Sequence, residues 1–200
     1  MASPPFTFDA LTHTYRDADG NAVPSVTQIL QGVGASTFVP GDEEDYRYAA
    51  DRGTAVHRFC ELFDVNEEDW SQVEGTVLEP FCRAYARFVK ETSFTPRLIE
   101  HAGIACVSGM RYGYTLDREG DLDGKPTIID IKTGSIQRSW ALQLAGYELA
   151  LREHDFIRRQ RKAVRLCNDG SYSLYSYGGP ADEQIFRAAL AIETWKRRTK

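Results

Sequence analysis

The sequence predicts an α/β protein with a central mixed β-sheet flanked by helices and a helical N-terminal part. Up to about residue 95, apolar residues recur mainly at helical spacing, and beyond Pro96 they follow the shorter rhythm of strands. Turn pairs such as Asp123-Gly124 separate the later segments. The 200 residues show no repeat and no clear linker, so we predict one domain, divided into a hairpin and helical part (1–95) and an α/β core (96–200).

The N-terminal part is predicted to begin with a hairpin and to continue as helices. Its strands and following turn are expected at 6–9, 12–16 and 19–21. A short helix then runs through Leu30, with Ser25 as a plausible N-cap. A loop is marked by Gly32, Gly34 and Pro40. Longer helices are expected over about 42–63 and 67–90. The second has an apolar face made of Val77, Phe81, Tyr85 and Phe88.

The second part is predicted to alternate strands with two helices. Three strands come first, at 98–107, 111–119 and 127–132. A helix over 138–153 follows, with an apolar stripe of Trp140, Leu144 and Leu151. Two strands at 163–167 and 171–177 surround a turn at Asn168-Asp169-Gly170. The last helix is expected over about 181–197, after Pro180.

Bulk composition indicates a soluble protein of the cytosol. Hydrophobic residues make up 42% of the chain and charged residues 26%, which is ordinary for a globular domain. No apolar run approaches the roughly 20 residues that cross a bilayer. The start of the chain has no charged segment followed by an apolar one, so we expect no secretory signal and no membrane partner.

The net charge of −5 is unevenly distributed along the chain. Residues 138–200 hold 12 Lys/Arg against 7 Asp/Glu, whereas residues 1–137 hold 12 against 22. The basic excess lies in two clusters, Arg158, Arg159, Arg161, Lys162 and Arg165, and Lys196, Arg197, Arg198 and Lys200. Such clusters can neutralise phosphates, although a solvated surface is the alternative for each of them.

The four cysteines do not form a recognisable metal motif. Cys60, Cys82, Cys106 and Cys167 are far apart in the chain and contain no CxxC pair. A zinc site would need closer ligand spacing. We therefore expect reduced thiols that are mostly buried as small hydrophobic residues.

The chemically informative stretch lies at 112–117 and 128–134. Strand side chains alternate, so Asp130 and Lys132 share one face of their strand. If a hairpin at Asp123-Gly124 pairs this strand with the preceding one, Asp117 and Asp130 converge. Two adjacent carboxylates repel each other unless a cation lies between them, and Mg²⁺ or Mn²⁺ suits oxygen ligands. The alternative is a solvent-exposed strand end with a salt bridge.

Together with four further segments, this pattern resembles the PD-(D/E)XK nuclease superfamily, particularly its RecB-like and phage exonuclease branch. The chain carries G-x-T-x-D at 113–117 and I-I-D-I-K-T-G at 128–134. The other segments are the opening hairpin (6–8 and 13–15), a serine- and threonine-containing helix (24–30), a histidine-bearing helix (52–57) and the Q-x-x-x-Y signature at 143–147. The resemblance runs from about Phe6 to Leu151. It implies a restriction-endonuclease-like core and makes 1–200 a single nuclease domain.

The resemblance also implies roles for particular residues. A first metal ion would be held by Asp117, Asp130, the backbone carbonyl of Ile131 and His57. Lys132 would orient the attacking water and stabilise charge in the transition state. Gln143 and Tyr147 lie four residues apart on one helix face, where they could hold Lys132, the water or a phosphate. An iron–sulfur cluster, present in some relatives, is not expected on these cysteine spacings.

Peripheral residues are given weaker roles. Glu100 could orient water or a second metal ion, and Glu61 could support His57 from the same helix face. Gly53, also on that face, would allow a close backbone approach. Further DNA contacts could come from Ser25, Thr27, Arg52, Thr133, Arg158 and Arg159, although helix capping explains Ser25 equally well.

The function implied is a metal-dependent DNA nuclease that leaves 5′-phosphate and 3′-hydroxyl ends. An exonuclease is preferred to an endonuclease. Single- or double-stranded DNA would be its substrate, in recombination or repair in a bacterium or phage-infected host, with a recombination protein as a possible partner. One alternative is an inactive DNA- or protein-binding module on the same fold. Another is an unrelated α/β protein whose acidic hairpin binds metal structurally. Metal-dependent DNA degradation distinguishes the nuclease from both.

Overall fold

A five-stranded mixed sheet flanked by helices forms the centre of the molecule, which confirms the predicted fold class. The computed structural model describes residues 6–9, 12–36 and 43–198. Pro40 of the predicted loop, the helix start predicted at Asp42 and the basic Lys200 lie outside the described residues.

A small antiparallel sheet precedes the helices of the N-terminal part. Its strands are β1 (Thr7–Asp9), β2 (Thr14–Arg16) and β3 (Ala22–Val23), paired in that order. The helices are α1 (Val26–Gly32), α2 (Glu43–Asp64), a 3-10 turn (Trp70–Gln72) and α3 (Glu79–Thr92). The predicted N-cap of α1 is confirmed: Ser25 Oγ accepts from the backbone N–H of Gln28, and the Gln28 side chain accepts from that of Ser25.

The helix predicted from Glu67 instead begins at Glu79, which corrects the prediction for Val77. Gly75 has a φ of +74°, a conformation that stops a helix from propagating through it. Pro80 occupies the first turn, where a missing N–H costs nothing. Val77 therefore lies before the helix and is 61% exposed, whereas the predicted Phe81, Tyr85 and Phe88 are buried.

The central sheet keeps chain order from edge to edge. Its strands are β4 (Thr95–Val107), β5 (Met110–Leu122), β6 (Lys125–Lys132), β7 (Gln160–Leu166) and β8 (Tyr172–Tyr177). Neighbours are antiparallel except β6 and β7, which are parallel and connected through α4 (Ser139–Asp155). The chain ends in α5 (Pro180–Arg198). Strands β5 and β6 are longer than predicted because their hairpin continues pairing up to the turn, and β4 starts earlier because Thr95 and Pro96 pair with the extended end of β5.

Apolar side chains bury both faces of this sheet. On one face Ile128 packs in a cluster with residues of α1, α4 and α5, including the predicted stripe residues Trp140, Leu144 and Leu151. On the other, Ile129 and Ile131 pack with α2 and α3. Because strand side chains alternate, Asp130 and Lys132 lie on the α4 side.

Gly113 joins the N-terminal sheet to the central one. Its N–H donates to the carbonyl of Pro24 at 2.9 Å, and the ring of Tyr15 lies where a side chain at position 113 would be. Two residues further on, Thr115 Oγ1 shares a hydrogen bond with the Tyr15 hydroxyl. In the G-x-T-x-D motif, Gly113 therefore leaves room for the Tyr15 ring and Thr115 binds the Tyr15 hydroxyl. Asp117 follows two residues later on the same strand.

Gly113→Ala is expected to lower the free energy of unfolding by about 1–3 kcal/mol, the range typical of an overpacked core. A Cβ at this position would lie 2.2 Å from Tyr15 Cγ, an atom close to the backbone that cannot move aside cheaply. Urea unfolding measures the loss. Gly178→Ala is the matched control, because no atom lies within 4 Å of its Cβ position. Equal urea midpoints for the two variants would contradict this packing.

The cysteines behave only partly as expected. All four are free thiols: Cys60 and Cys82 are buried, Cys167 is half-buried and Cys106 is exposed. The prediction of mostly buried cysteines is thus wrong for Cys106, which lies near the end of edge strand β4. Among the described residues, no helix has the length and apolar character needed to cross a membrane.

Candidate active site

Three carboxylates lie side by side across strands β4, β5 and β6. The registers of these strands place Glu100 opposite Asp117 and Asp117 beside Asp130. Neighbouring strands are about 4.8 Å apart, so three negative charges in this row repel one another. The row is therefore stable only where cations lie against it.

Asp130 occupies the most buried position of the row. It is 1% exposed, and neither carboxylate oxygen has a well-aligned hydrogen-bond donor. Lys132 Nζ lies 2.7 Å from Oδ2, an ion pair by distance. Burial raises the pKa of Asp130 to about 6, although Lys132 opposes the shift. A buried carboxylate without a well-aligned hydrogen-bond donor fits a site that accepts an additional cation.

Lys132 is held by a chain of polar groups from α4. Its Nζ donates to Gln143 Oε1 at 3.0 Å, and Gln143 Nε2 donates to the Tyr147 hydroxyl at 2.8 Å. Burial lowers the pKa of Lys132, but Asp130 and Asp117 outweigh it and the net shift is upward. The ammonium therefore stays charged at the end of β6. Gln143 and Tyr147, which hold it in place, are 11 and 15 residues further along the chain.

His57 faces the other end of the row from helix α2. Its Nδ1 lies 3.7 Å from Glu100 Oε1 and 3.7 Å from Asp117 Oδ1. Burial lowers the pKa of the imidazole, but the Asp117 and Glu100 carboxylates more than offset this and raise it to about 9. The opposite ring nitrogen, Nε2, is 3.0 Å from the carbonyl of Ile131. Asp117 Oδ2 accepts from the Ile131 N–H at 2.6 Å.

Glu100 is held by an arginine that the sequence analysis did not select. Arg118 Nη1 donates to Glu100 Oε1 at 2.9 Å, and its Nε pairs with the buried Asp64. The Arg118 side chain is fully buried. Its sequence signal was an arginine in a strand segment flanked by Leu116 and Leu122. Glu100 itself has a φ of +45°, a strained conformation for a non-glycine residue and one that is frequent at functional sites.

These residues fit a divalent metal ion. Ligand atoms of His57, Glu100 and Asp117 all lie within 4.8 Å of one another. Carboxylate oxygens suit Mg²⁺ and Mn²⁺, and an imidazole is compatible with the second. The cluster differs from the predicted set, because Glu100 belongs to it while Asp130 does not and is paired with Lys132. The Ile131 carbonyl, also predicted as a ligand, contacts His57 Nε2.

A cleft of about 810 Å³ contains most of the residues selected from the sequence. It is lined by Ser25, Thr27, His57, Glu61, Glu100, Asp117, Asp130, Lys132, Gln143 and Tyr147, together with residues of the N-terminal hairpin. Glu61 forms an ion pair with Arg58 on the same helix. The residues selected from the sequence therefore meet in this cleft from six different elements of the fold.

Five selected residues do not line this cleft: Arg52, Ile131, Thr133, Arg158 and Arg159. Arg52 donates from Nη2 to the carbonyl of Thr133 at 3.5 Å, and its guanidinium lies over the ring of Phe81. Arg159 is paired with Glu119 and Asp155. Arg158 and Arg159 line a separate cavity at the start of β7. Its nearest lining residue on β7, Lys162, is level with Ile129, so this cavity begins about 10 Å along the sheet from Lys132.

The comparisons with known proteins bear on the fold. No protein-family model matches the chain, and no curated protein matches it either. The crystal structure of a protein named "putative exonuclease" from Eubacterium rectale aligns with a TM-score of 0.51 and 9% identity, over 84% of this chain and 71% of that chain. The structure of SSO0001 aligns with a TM-score of 0.38 and 18% identity, over 86% of this chain and 83% of that chain. The first likeness supports a shared fold; the second is too distant to support an argument.

Proposed function

We propose that this chain is a divalent-metal-dependent DNA nuclease of the PD-(D/E)XK type, acting as an exonuclease that leaves 5′-phosphate ends. One observation carries the proposal: Glu100, Asp117 and Asp130 form a row in one cleft, with His57 at one end and Lys132 at the other. Such a row is costly to keep in a buried position, and phosphodiester hydrolysis on a metal ion uses all of its parts.

The role of each side chain follows from its contacts. His57, Glu100 and Asp117 would hold the metal ion, which when bound acidifies an attacking water and offsets charge on the scissile phosphate. Lys132, fixed by Gln143, would orient that water and stabilise the transition state. Tyr147 positions Gln143 rather than reaching the phosphate itself. Asp130 pairs with Lys132 and keeps it charged.

The exonuclease assignment and a role in recombination or repair extend this proposal. Support for them comes from the resemblance of the motifs and from the fold shared with a protein that bears an exonuclease name.

The experiment that tests the nuclease offers the protein three substrates, namely end-labelled linear single strands, linear duplexes and closed circles, with Mg²⁺, Mn²⁺ or EDTA. We expect metal-dependent loss of linear DNA with 5′-phosphate products. Cutting of circles would make the protein an endonuclease, and a gel shift without cutting would make it a binding module.

Gly53 offers a test of how closely DNA approaches α2. The residue lines the cleft, and a Cβ there would meet only Thr133 Oγ1, at an unstrained 3.7 Å. Gly53→Ala should therefore raise the free energy of unfolding by about 0.5–1 kcal/mol, the usual gain for alanine in a helix. The same methyl group would obstruct a substrate backbone, so we expect a higher KM for DNA. Thermal melting and steady-state kinetics measure both, and a stabilised variant with an unchanged KM would contradict a close approach.

A further inference from the structure

One wall of the cleft is a row of aromatic rings from the N-terminal hairpin. Tyr15 and Phe8 are stacked, with ring centroids 4.7 Å apart and an interplanar angle of 28°. His13 meets Phe8 edge to face at 5.8 Å. All three residues line the cleft that contains the carboxylates. We call this row, His13–Phe8–Tyr15, the aromatic shelf.

The shelf is anchored beside the carboxylate row. Tyr15 is 2% exposed and bonds through its hydroxyl to Thr115, two residues before Asp117 on the same strand. Two strand residues span about 7 Å, a distance over which one nucleotide can place its phosphate at Asp117 and its base against the rings. Away from this anchor the shelf opens to solvent, since Phe8 is half-buried and His13 is exposed.

His13 lies in the turn between β1 and β2, and its side chain is exposed. It has a φ of +48°, a region that non-glycine residues enter at a cost. Its exposed ring contributes little to the hairpin core, which is formed by Tyr15, Val23 and Ile104. The ring of His13 is therefore exposed on the lining of the cleft, where a ligand can reach it.

The charge of the cleft indicates which part of DNA the shelf would contact. Apart from histidines, the described residues lining the cleft include two cations, Arg58 and Lys132, against four carboxylates, Glu61, Glu100, Asp117 and Asp130. Both cations are already in ion pairs. Phosphate neutralisation, the usual source of DNA affinity, is therefore weak here. Affinity must come largely from the bases, and aromatic rings stack on bases of any sequence.

We propose that the aromatic shelf is a base-stacking subsite, with His13 and Phe8 receiving an unpaired nucleobase next to the phosphate to be cut. The proposal rests on the proposed function and narrows its substrate to single-stranded DNA ends. A base inside an intact duplex is already stacked and paired, so it is not available to these rings.

Binding of a fluorescent single-stranded 10-mer in EDTA, followed by anisotropy, tests the subsite without any cutting. The comparison oligonucleotide has the same phosphates but abasic sugars, so charge is constant and only the bases are lost. We expect the intact protein to bind the normal strand about tenfold more tightly than the abasic strand, as stacking of one or two bases provides. A blunt duplex of the same length should bind as weakly as the abasic strand.

Variants assign the preference to the shelf. His13→Ala should remove most of the preference for bases, and His13→Phe should retain it, because any aromatic ring can stack. His154→Ala, a histidine outside the cleft lining, is the matched control and should behave as the intact protein. Phe8→Leu keeps apolar volume in the hairpin while removing the ring, so a reduced preference in a folded Phe8→Leu protein supports the same assignment.

Three results would overturn the subsite: equal affinity for normal and abasic strands, no binding of either strand, or an unchanged preference in His13→Ala. Cleavage plays no part in this assay, so its failure is separate from that of the proposed function. A base preference in a protein that cuts no DNA would leave the shelf standing and remove the nuclease. Metal-dependent cutting without a base preference would support the nuclease and rule out the base-stacking subsite.

Discussion

Lys132→Ala is expected to slow DNA cleavage by about 100- to 1000-fold, the usual cost of removing one preorganised group that stabilises the transition state. The ammonium lies between Asp130 and Gln143, where it would meet the charge that develops on a phosphate. Single-turnover cleavage of a labelled single strand in saturating Mn²⁺ measures the chemical step directly.

Two further variants separate chemistry from folding at this position. Lys132→Met keeps an unbranched apolar chain beneath the position of Nζ, which lies 5.9 Å from the Trp140 ring centroid. This variant should lose as much rate while retaining a native circular dichroism spectrum. Lys125→Ala removes an exposed lysine from the opposite end of the same strand and should cut at the normal rate. Cleavage by Lys132→Met at the rate of Lys125→Ala would show that Lys132 is not catalytic.

Arg118→Met is expected to lower the free energy of unfolding by about 3–5 kcal/mol, the loss seen when one partner of a buried ion pair is removed. The Asp64 carboxylate, whose side chain is also fully buried, would keep only the Tyr85 hydroxyl, at 2.8 Å from its Oδ2. Burial already raises the pKa of Asp64 despite the nearby arginine. A carboxyl whose folded pKa is raised destabilises the protein more as pH rises. The loss should therefore be larger at pH 8 than at pH 5.

The double variant Asp64→Leu/Arg118→Met provides the control. It removes both charges, and we expect it to regain much of the stability lost in Arg118→Met. Its cleavage should remain slow, because Glu100 has still lost the guanidinium that holds it. Urea unfolding of both variants at the two pH values is the measurement. If Arg118→Met unfolds at the same urea concentration as the intact protein, the buried network contributes no stability.

The part of the site that lies on strands could be predicted because the alternation of side chains between the two faces of a strand depends only on local sequence. Asp130 and Lys132 share a face whatever the rest of the fold does, and the Asp123-Gly124 turn sets the pairing that brings Asp117 beside them. Gln143 and Tyr147 could be placed on one helix face for the same reason. These short-range periodicities account for the confirmed fold class as well.

The remaining part depends on long-range geometry that no local pattern contains. Glu100 joins the row only because its strand pairs with β5 in one register, and the same register places Arg118 next to it. Arg158, Arg159 and Arg161 are close together in the sequence, yet the parallel register places Arg161 level with Ile128, towards the far end of β7 from Lys132. Arg165 of the same cluster is level with Lys132, but its Nε donates to the carbonyl of Gly134. Apolar residues keep helical spacing before the true start of α3, so Val77 was wrongly predicted to lie on the apolar face of that helix.

We propose that an ion held at Asp117 enables this cleft to cut DNA. The most direct measurement is the rate of cleavage of a linear single strand against Mn²⁺ concentration for the intact protein, Asp117→Asn and Asp121→Asn. Asp121 lies on the same strand and caps the turn at Gly124, a role that asparagine can retain. We predict cutting by the intact protein and Asp121→Asn in Mn²⁺ alone, and none by Asp117→Asn at any concentration. Cutting in EDTA, equal rates for Asp117→Asn and the intact protein, or no cutting by any of the three would contradict the claim.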